Sequence, residues 1–353
     1  MERIEIIGFC LILLLFSNCA PTLKQPQLPK EAIEEERAKQ EEITLFTYLE
    51  REQRLYKVGL PLLKGALNYY NKKPGISFGL IVHNKNSYKK EQIEIIRKKY
   101  VVEDIPTILY LHPDFGAYKA GLKINDKIIE VDGKKIKDID SFLKFINSID
   151  EKRESVEFVV EREGEILKFN VPVTKICPFS FKLIFDPQIR DTINAFTDGK
   201  TIFVTPGLLR FLQSDNELAL VLSHEIAHAV LEHVQKTMGN RIIGSIFDIA
   251  ITIATGINTQ GIFGQLGGLV YSKEFEKEAD YLGTYILAVS GYDITDVANL
   301  WRKMAAEYPG STKDVFLASH PSSPERYVLI ENTVKEIKEK IEKGLPLKVE
   351  FKK

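Results

Sequence analysis

Hydrophobic positions recur with a helical period in three stretches of the chain, residues 40–72, 218–234 and 281–291. In 218–234 the apolar residues cover almost the whole circumference, which indicates a buried helix. Residues 155–173 instead alternate apolar and polar positions around Glu163-Gly164, as a half-buried hairpin does. These periods predict an α+β protein, mainly helical, with a β-rich segment inserted between its helices.

The predicted buried helix carries the string HEIAH at residues 224–228. A capping box of Ser214 and Glu217 marks its start, and Gly239 is its expected stop. Residues four apart share one face of a helix, so His224 and His228 can bind one Zn²⁺ through neutral imidazole nitrogens. Glu225 would then take a proton from a zinc-bound water. The alternative is a chance match on a core helix with hydrogen-bonded histidines.

Candidates for a third ligand follow in the segment YSKEFEKEADYLG at residues 271–283: Glu274, Glu276, Glu278 and Asp280. HEIAH followed by this segment resembles the gluzincin family that includes HtpX, the CAAX prenyl proteases and the envelope protease BepA. The resemblance implies a zincin-type metallopeptidase domain with a small sheet. It also implies one Zn²⁺ per chain, held by His224, His228 and Glu276, with Asp280 orienting a ligand histidine. Lys273 stands where the family usually has arginine.

Two further segments resemble the same family, NAFTDGKTIFVTPGLL at 194–209 and SHPSSPER at 319–326. In the first, Asn194, Ala195 and Phe196, or the strand 202–205, would bind the substrate backbone by strand addition. In the second, His320 and Arg326 would act in catalysis by binding the developing oxyanion, or His320 would fill the open position of the metal in a resting state. A surface-loop histidine beside a proline is the alternative for His320.

His233 produces the pattern HExxHxxxxH, which differs from the metzincin pattern because Leu231 and Val234 stand where glycine and the third histidine would be. We therefore expect His233 to lie on the helix surface or behind a ligand, and not to bind the metal itself.

The inserted segment, residues 75–175, resembles a PDZ domain. The resemblance rests on AGL at 120–122, Asn125-Asp126, the apolar run 128–131 and a hairpin turn at Asp132-Gly133. PDZ domains bind chain termini by strand addition, so protein C-termini or internal strands are the expected ligands. The groove would comprise one loop and one helix face: Ser77, Phe78, Gly79, Leu80, Phe142 and Ile146. A blocked groove, with the domain serving as a spacer, is the alternative, and the long basic stretch 84–104 leaves this open.

The N-terminus predicts the compartment. Residues 6–16 form an apolar run that is too short to span a bilayer but suits the core of a signal peptide. The following Ser17-Asn18-Cys19 resembles a bacterial lipobox, with Phe16 and Asn18 as departures, and would make Cys19 the lipidation site. We expect a bacterial cell-envelope protein, lipid-anchored on the periplasmic face of the outer membrane. An uncleaved anchor or ordinary secretion are the alternatives.

The predicted organisation follows in chain order: residues 1–19 as signal peptide, 20–39 as charged tether, 40–74 as N-terminal helices of the peptidase, 75–175 as PDZ domain and 176–345 as metallopeptidase domain. Short links near 72–75 and 177–178 suggest two hinged lobes. The apolar stretches 242–257 and 261–270 would form a lid over the site, a segment that touches the membrane, or an ordinary core helix.

Composition narrows the function. The net charge of −1 over 353 residues indicates no nucleic-acid partner. Cys177 is the single cysteine beyond Cys19, so no internal disulfide is expected. We expect a zinc endopeptidase that cleaves misfolded or stalled envelope proteins. The main rival is a chaperone-like binding or assembly factor with a closed protease site, which would not need Glu225. A prenyl-peptide processing enzyme is disfavoured because clean membrane spans are lacking.

Overall fold

The computed structural model describes residues 26–184, 191–238, 271–307, 320 and 323–349. The predicted signal peptide with Cys19, and the predicted lid at 242–270, lie outside these residues. The chain forms two compact units, residues 1–44 and 45–353, and all the domains described below lie in the second. No described helix is both long and apolar enough to cross a membrane.

The fold is α+β, as the hydrophobic periods predict. The elements up to the end of the inserted segment are α1 (Lys30–Ala66), β1 (Gly75–Ser77), β2 (Leu80–His83), α2 (Ile93–Arg97), β3 (Thr107–Leu111), α3 (Gly116–Lys119), β4 (Lys127–Val131), β5 (Lys134–Lys135), α4 (Ile139–Ser148), β6 (Ser155–Arg162), β7 (Glu165–Pro172) and β8 (Thr174–Ile176). They are followed by β9 (Ser180–Leu183), β10 (Ala195–Thr197), β11 (Thr201–Val204), α5 (Pro206–Phe211), α6 (Asp215–Val230), α7 (His233–Met238), α8 (Lys273–Val289), α9 (Val297–Glu307) and α10 (Pro324–Glu342).

The inserted segment contains a six-stranded sheet in the order β2-β3-β4-β6-β7, with β5 paired to β4. The predicted turns are confirmed. Asp132 and Gly133 have φ values of 46° and 73°, and Glu163 and Gly164 have 52° and 88°, as two-residue hairpin turns require. Strands β1 and β8 pair in antiparallel register from Gly75↔Ile176 to Ser77↔Thr174, which closes the insert where the chain enters and leaves it.

The peptidase part contains a three-stranded sheet in the order β10-β11-β9, whose strands β10 and β11 pack on helix α6. Helix α6 packs in turn on α8 and α9, and α10 packs on both of these. Strand β10 is antiparallel to β11, whereas β9 is parallel to it. Because β11 is hydrogen-bonded on both sides, it has no free edge to add a substrate strand. The prediction that residues 202–205 form such an edge is therefore wrong, and among the described residues β10 is the edge strand beside it.

Helix α6 ends at Val230, so the expectation that it continues to Val234 and stops at Gly239 is also wrong. Glu232 has a φ of +58°, a left-handed conformation that no helix interior accommodates. A separate helix, α7, begins at His233. The start of α6 matches its prediction, since the Ser214 hydroxyl accepts a hydrogen bond from the Glu217 backbone at 3.1 Å.

Helix α1 contributes to two hydrophobic cores. Leu45 and Leu49 pack with four residues of the insert: Ile96, Tyr100, Val102 and Leu109. Further along, Leu55, Leu62 and Ala66 lie in the main core of the peptidase part. The insert also reaches this core directly through Phe115. A shared helix joins the two lobes, in contrast to the expected hinge.

Candidate metal centre and active site

Four donor atoms converge in the interior, contributed by His224, His228, Glu276 and His320. His224 Nε2 lies 3.1 Å from His228 Nε2 and 3.2 Å from His320 Nδ1. Glu276 Oε1 lies 3.0 Å from His320 Nδ1 and 3.4 Å from His228 Nε2. All four side chains are at most 2% exposed.

These spacings fit a tetrahedral ion. With metal–ligand bonds of about 2.0–2.1 Å, the ligand atoms of tetrahedral zinc lie about 3.3–3.4 Å apart. Four separations between the donor atoms lie from 3.0 Å, between Glu276 Oε1 and His320 Nδ1, to 3.4 Å, between Glu276 Oε1 and His228 Nε2, and all four atoms lie within 4.8 Å of one another. Neutral imidazoles and one carboxylate are also the donors that zinc prefers. The residues present therefore fit one zinc ion, with His320 as the fourth donor.

Local sequence explains how the donors meet. His224 and His228 lie one turn apart on α6, and Glu276 lies in the first turn of α8, which Ser272 caps by accepting a hydrogen bond from the Phe275 backbone. The two helices approach closely at Gly283, where an added Cβ would lie 3.2 Å from the backbone of His224. His320 reaches the group from outside both helices.

Glu225 lies beside the donors and is fully buried. Among the described residues, neither of its carboxylate oxygens has a hydrogen-bond partner, although one oxygen is 3.3 Å from His320 Nε2. Burial raises the pKa of Glu225 to about 6. A buried carboxylate without a hydrogen bond is costly for stability, so its presence here points to a role in proton transfer.

The other pKa shifts show how strongly the charges are coupled. Burial lowers the pKa of His224, but Asp280 and Glu276 outweigh burial and raise it to about 9. Burial alone would raise the pKa of Glu276, yet the three surrounding histidines hold it well below its ordinary value. Glu276 is therefore ionised at neutral pH, as a metal ligand must be.

Asp280 and Arg326 support the donors from behind. Asp280 Oδ1 lies 3.1 Å from His224 Nδ1, which is the position predicted for a residue that orients this ligand. The guanidinium of Arg326 binds both Asp280 oxygens, at 2.6 and 2.8 Å, and lies 2.8 Å from Glu276 Oε2. Another bond, of 3.3 Å, runs to the His320 carbonyl. Arg326 is thus committed to the ligands in this arrangement, whereas the sequence predicts that it binds an oxyanion.

Three aromatic side chains pack against the rings of His224 and His228. Tyr271 stacks on the His228 ring with centroids 4.0 Å apart, and Trp301 meets the His224 ring edge at 5.2 Å. His233 lies behind His228, with the two Nδ1 atoms 3.0 Å apart. Tyr271 and Trp301 were not among the predicted site residues, because nothing in their spacing along the sequence indicates that they contact these histidines.

The predicted substrate edge lies on β10 and its preceding residue. Ala195 and Phe196 are buried, and Phe196 stacks on Phe203 of β11 at 5.1 Å. The backbone N–H and C=O of Asn194 pair with Thr205 at the end of β11. Strand β10 packs against α6, the helix that carries the HEIAH residues.

The predicted PDZ groove residues lie at the end of β1, in the short loop that leads to the start of β2, and on one face of α4. Ser77 Oγ accepts a hydrogen bond from the Gly79 backbone at 3.0 Å, and Gly79 has a φ of +75°. Phe78 and Phe142 are buried in the core of the insert, with Leu80 and Ile146 packed partly against it. In the described part of the chain, β2 pairs with β3 alone, so its outer edge is available for strand addition.

The basic stretch 84–104 does not cover this groove. Its apolar residues Ile96, Tyr100 and Val102 pack with α1, together with Ile81 of β2. Leu80 and Val82 of the same strand point to the opposite face, where Phe142 lies. The stretch therefore attaches the insert to α1 on the side of the sheet away from the groove.

Comparison with known proteins agrees with this geometry. The description "Peptidase family M48" matches residues 164–334, and "PDZ domain" matches residues 81–173. The chain carries an M48 metallopeptidase domain and a PDZ domain. Family M48 is zinc-dependent, as the donor set of His224, His228, Glu276 and His320 indicates independently.

The M48 domain has curated relatives in mitochondria and bacteria. "Mitochondrial metalloendopeptidase OMA1" of Schizosaccharomyces pombe is 34% identical over 191 residues, or 51% of this chain and 54% of the relative. "Putative beta-barrel assembly-enhancing protease" of Vibrio cholerae serotype O1 is 32% identical over 164 residues, or 42% of this chain and 33% of the relative. The chain thus spans about half or less of the length of these relatives.

Solved structures match over about a third of the chain. "HtrA-type protease AlgW with decapeptide" shares 17% identity and covers 30% of each chain with a TM-score of 0.25. The HtrA3 PDZ domain bound to a phage-derived ligand shares 12% identity, with a TM-score of 0.23, and covers 30% of this chain and 89% of that one. These scores are too low to support any further conclusion.

Proposed function

We propose that this chain is a zinc-dependent endopeptidase in which His224, His228 and Glu276 hold the metal and Glu225 acts as general base. The observation that carries the proposal is the convergence of these donors at tetrahedral spacing beside a buried carboxylate without hydrogen-bond partners among the described residues. The M48 match over residues 164–334 supports the same class of reaction.

The residue types suggest a separate role for each of these side chains. A bound zinc ion polarises the scissile carbonyl and lowers the pKa of water. Glu225 would accept a proton from the attacking water and pass it to the leaving amine nitrogen. Asp280 would keep His224 oriented, and Arg326 would hold Asp280 and Glu276 in place. Strand β10 would bind the substrate backbone by antiparallel strand addition, which places the scissile bond next to α6.

His320 supplies the fourth donor of this arrangement. Its Nδ1 completes a set of four protein donors, and zinc in catalytic sites keeps one position for water. We propose that the arrangement with His320 as fourth donor is a resting state, and that His320 leaves this position before cleavage. Its Nε2, 3.3 Å from Glu225, would then be free to bind the developing oxyanion.

The cellular role remains a proposal built on relatives and on the N-terminal residues. Relatives in Vibrio cholerae and Yersinia pestis are named beta-barrel assembly-enhancing proteases. We propose that this protein cleaves misfolded or stalled proteins of the bacterial cell envelope. Lipidation at Cys19 would anchor it to the periplasmic face of the outer membrane, and the PDZ groove would bind substrate or partner termini.

A chaperone-like binding factor is the second candidate, because a centre with four protein donors is closed to water. In that case the PDZ groove and the β10 edge would hold client proteins without cleaving them. The two functions differ in what they require of Glu225, since holding a client needs no general base.

The deciding experiment measures bound zinc and casein cleavage for the chain from residue 20 onwards, with and without Glu225→Gln. We expect one zinc per chain in both forms and cleavage only by the unaltered protein, lowered at least about 10²-fold in the variant because the general base is lost. If neither form cleaves, His320→Ala separates a closed protease from a binding factor. Opening the fourth metal position would give a closed protease slow cleavage, below full activity because the oxyanion contact is lost, whereas a binding factor would stay inactive. Absence of zinc from the unaltered protein would overturn the assignment of the ligands.

A further inference from the structure

The break between α6 and α7 changes where His233 points. In an unbroken α-helix, a residue five positions after His228 lies roughly 140° further round the axis, on a different face. The left-handed conformation of Glu232 ends α6 and starts α7 in a new direction. As a result, His233 lies buried behind His228, with 0% of its surface exposed.

His233 is held from three sides. Its Nδ1 is 3.0 Å from His228 Nδ1, and its Nε2 is 3.2 Å from Glu278 Oε2. The ring also stacks on Phe275, with centroids 4.3 Å apart and planes 10° apart. Glu278 and Phe275 both lie on α8, two residues and one residue from Glu276 respectively. Helix α8 thus supplies the zinc ligand Glu276 and also holds His233, the side chain that lies behind the ligand His228.

The positions of the protons follow from these contacts. His228 uses Nε2 toward the other donors, so a neutral imidazole there carries its proton on Nδ1. That Nδ1–H must donate to His233 Nδ1, which therefore has no proton. The proton of His233 is then on Nε2, where the Glu278 carboxylate accepts it at 3.2 Å. Every polar atom in the row has a partner only in this one arrangement of protons.

We propose that His233 is a positioning residue that fixes the ring orientation and tautomer of the zinc ligand His228, and that Glu278 fixes His233 in turn. The inference rests on the proposed function and deepens it. The ring of His224 donates to the carboxylate of Asp280. The ring of His228 donates instead to a neutral imidazole, that of His233, and the nearest carboxylate in this row is that of Glu278 on the far side of His233. Partners of this kind contribute about 10- to 100-fold to metal affinity.

The test measures the zinc dissociation constant by competition with a chromophoric chelator. His233→Phe keeps the stacking on Phe275 but has no acceptor for His228 Nδ1–H, and we expect zinc binding about 10- to 100-fold weaker. His233→Asn restores an acceptor near the Nδ1 position and should recover most of the affinity. Thermal unfolding in chelator monitors whether each variant still folds.

A second readout needs no variant. In zinc-loaded protein, long-range ¹H–¹⁵N spectra of the histidine rings should show His233 as the neutral Nε2–H tautomer. An Nδ1–H tautomer, or an unchanged dissociation constant in His233→Phe, would overturn the inference. Equal losses in His233→Phe and His233→Asn would also overturn it, because they indicate packing alone. If the unaltered chain binds no zinc, the proposed function fails. A proton on His233 Nε2 in the metal-free protein would then still test the contact of His233 with Glu278, which does not depend on the metal.

Discussion

At the scale of single residues, His83 shows what burial does to an imidazole far from any metal ligand in sequence. It ends strand β2, is 2% exposed, and its Nδ1 lies 2.6 Å from the Tyr88 hydroxyl. Tyr88 and Tyr100 both meet its ring edge-on. Burial lowers the pKa of His83 to about 4, although the neighbouring backbone of Val101 opposes the shift.

This shift predicts a loss of stability in mild acid. The pKa of His83 is lower in the folded protein than in the unfolded chain, so folding favours the neutral form. Its contribution is complete above the unfolded pKa of about 6.5 and is lost as the pH falls toward 4. Between pH 7 and pH 5 the loss amounts to about 2 kcal/mol.

His83→Asn removes the titrating group and keeps a polar contact for Tyr88. Urea unfolding at pH 7 and pH 5 should show a smaller loss of stability for this variant, by about 2 kcal/mol, than for the unaltered chain. The other five histidines are the same in both proteins, so any contribution that they make cancels in the comparison. Equal losses in the two proteins would contradict the prediction.

Sequence predicts the residues of the site better than their partners. The helical spacing of His224 and His228 fixes that they meet, whatever the rest of the fold does. Arg326 differs, because its position near the site is predictable whereas its commitment to Asp280 and Glu276 depends on how α10 packs on α8. Trp301 contacts His224 only through that packing, and no local pattern shows it.

At the scale of elements, the site depends on how closely α6 and α8 pack. Gly283 on α8 lies where a Cβ would come within 3.2 Å of the His224 backbone, and the carbonyl of Ser223 is equally near. Because backbone atoms cannot rotate away, a larger side chain there must push the two helices apart. The separation would move Glu276 away from both histidines.

Gly283→Val is therefore expected to cost on the order of 1–3 kcal/mol of stability and to weaken zinc binding. Gly59→Val is the matched control, since an added Cβ there overlaps the Phe181 ring, but its helix α1 carries no donor. The control should lose stability and keep its zinc affinity. Chelator competition measures the zinc affinity of both variants, and urea unfolding measures their stability. A Gly283→Val protein with unchanged zinc affinity would refute the prediction.

The element boundaries show where local signals stop being sufficient. Ser214 marks the start of α6, because the hydrogen bond that its hydroxyl accepts from the Glu217 backbone is a local interaction. The Glu217 side chain accepts from the Gln213 backbone, so only half of the predicted capping box forms. The end of α6 is different, since residues 231–234 have helical periodicity and the break at Glu232 serves contacts with distant residues, such as its ion pair with Lys72. Likewise, β11 is the central strand because β9 pairs with it in parallel, and the order of strands in a sheet cannot be predicted from the residues of one strand alone.

At the scale of the whole molecule, helix α1 connects the PDZ domain to the zinc helix. His112 of the PDZ domain lies 3.0 Å from the Lys57 carbonyl, and the Lys57 ammonium lies 2.9 Å from Asp215, in the first turn of α6. Arg54 binds the same aspartate at 2.8 Å. Gly79 of the groove loop packs on Phe115, which belongs to the main core. These contacts indicate a fixed orientation of the PDZ domain, although the links near 72–75 and 177–178 suggest a hinge from sequence.

The fixed orientation predicts a narrow distance distribution between spin labels at Lys168 on β7 and Lys343 after α10, both with side chains 64% exposed. The combined change Leu49→Ala and Tyr100→Ala removes apolar packing between α1 and the PDZ domain. Pulsed electron–electron double resonance should then show a broader distribution of the distance between the two labels. Leu143→Ala is the control, because the Leu143 side chain is exposed on α4, and it should leave the distance distribution narrow. A broad distribution in the unaltered chain would mean that the two domains are hinged after all, since a shared helix cannot hold them in several orientations at once.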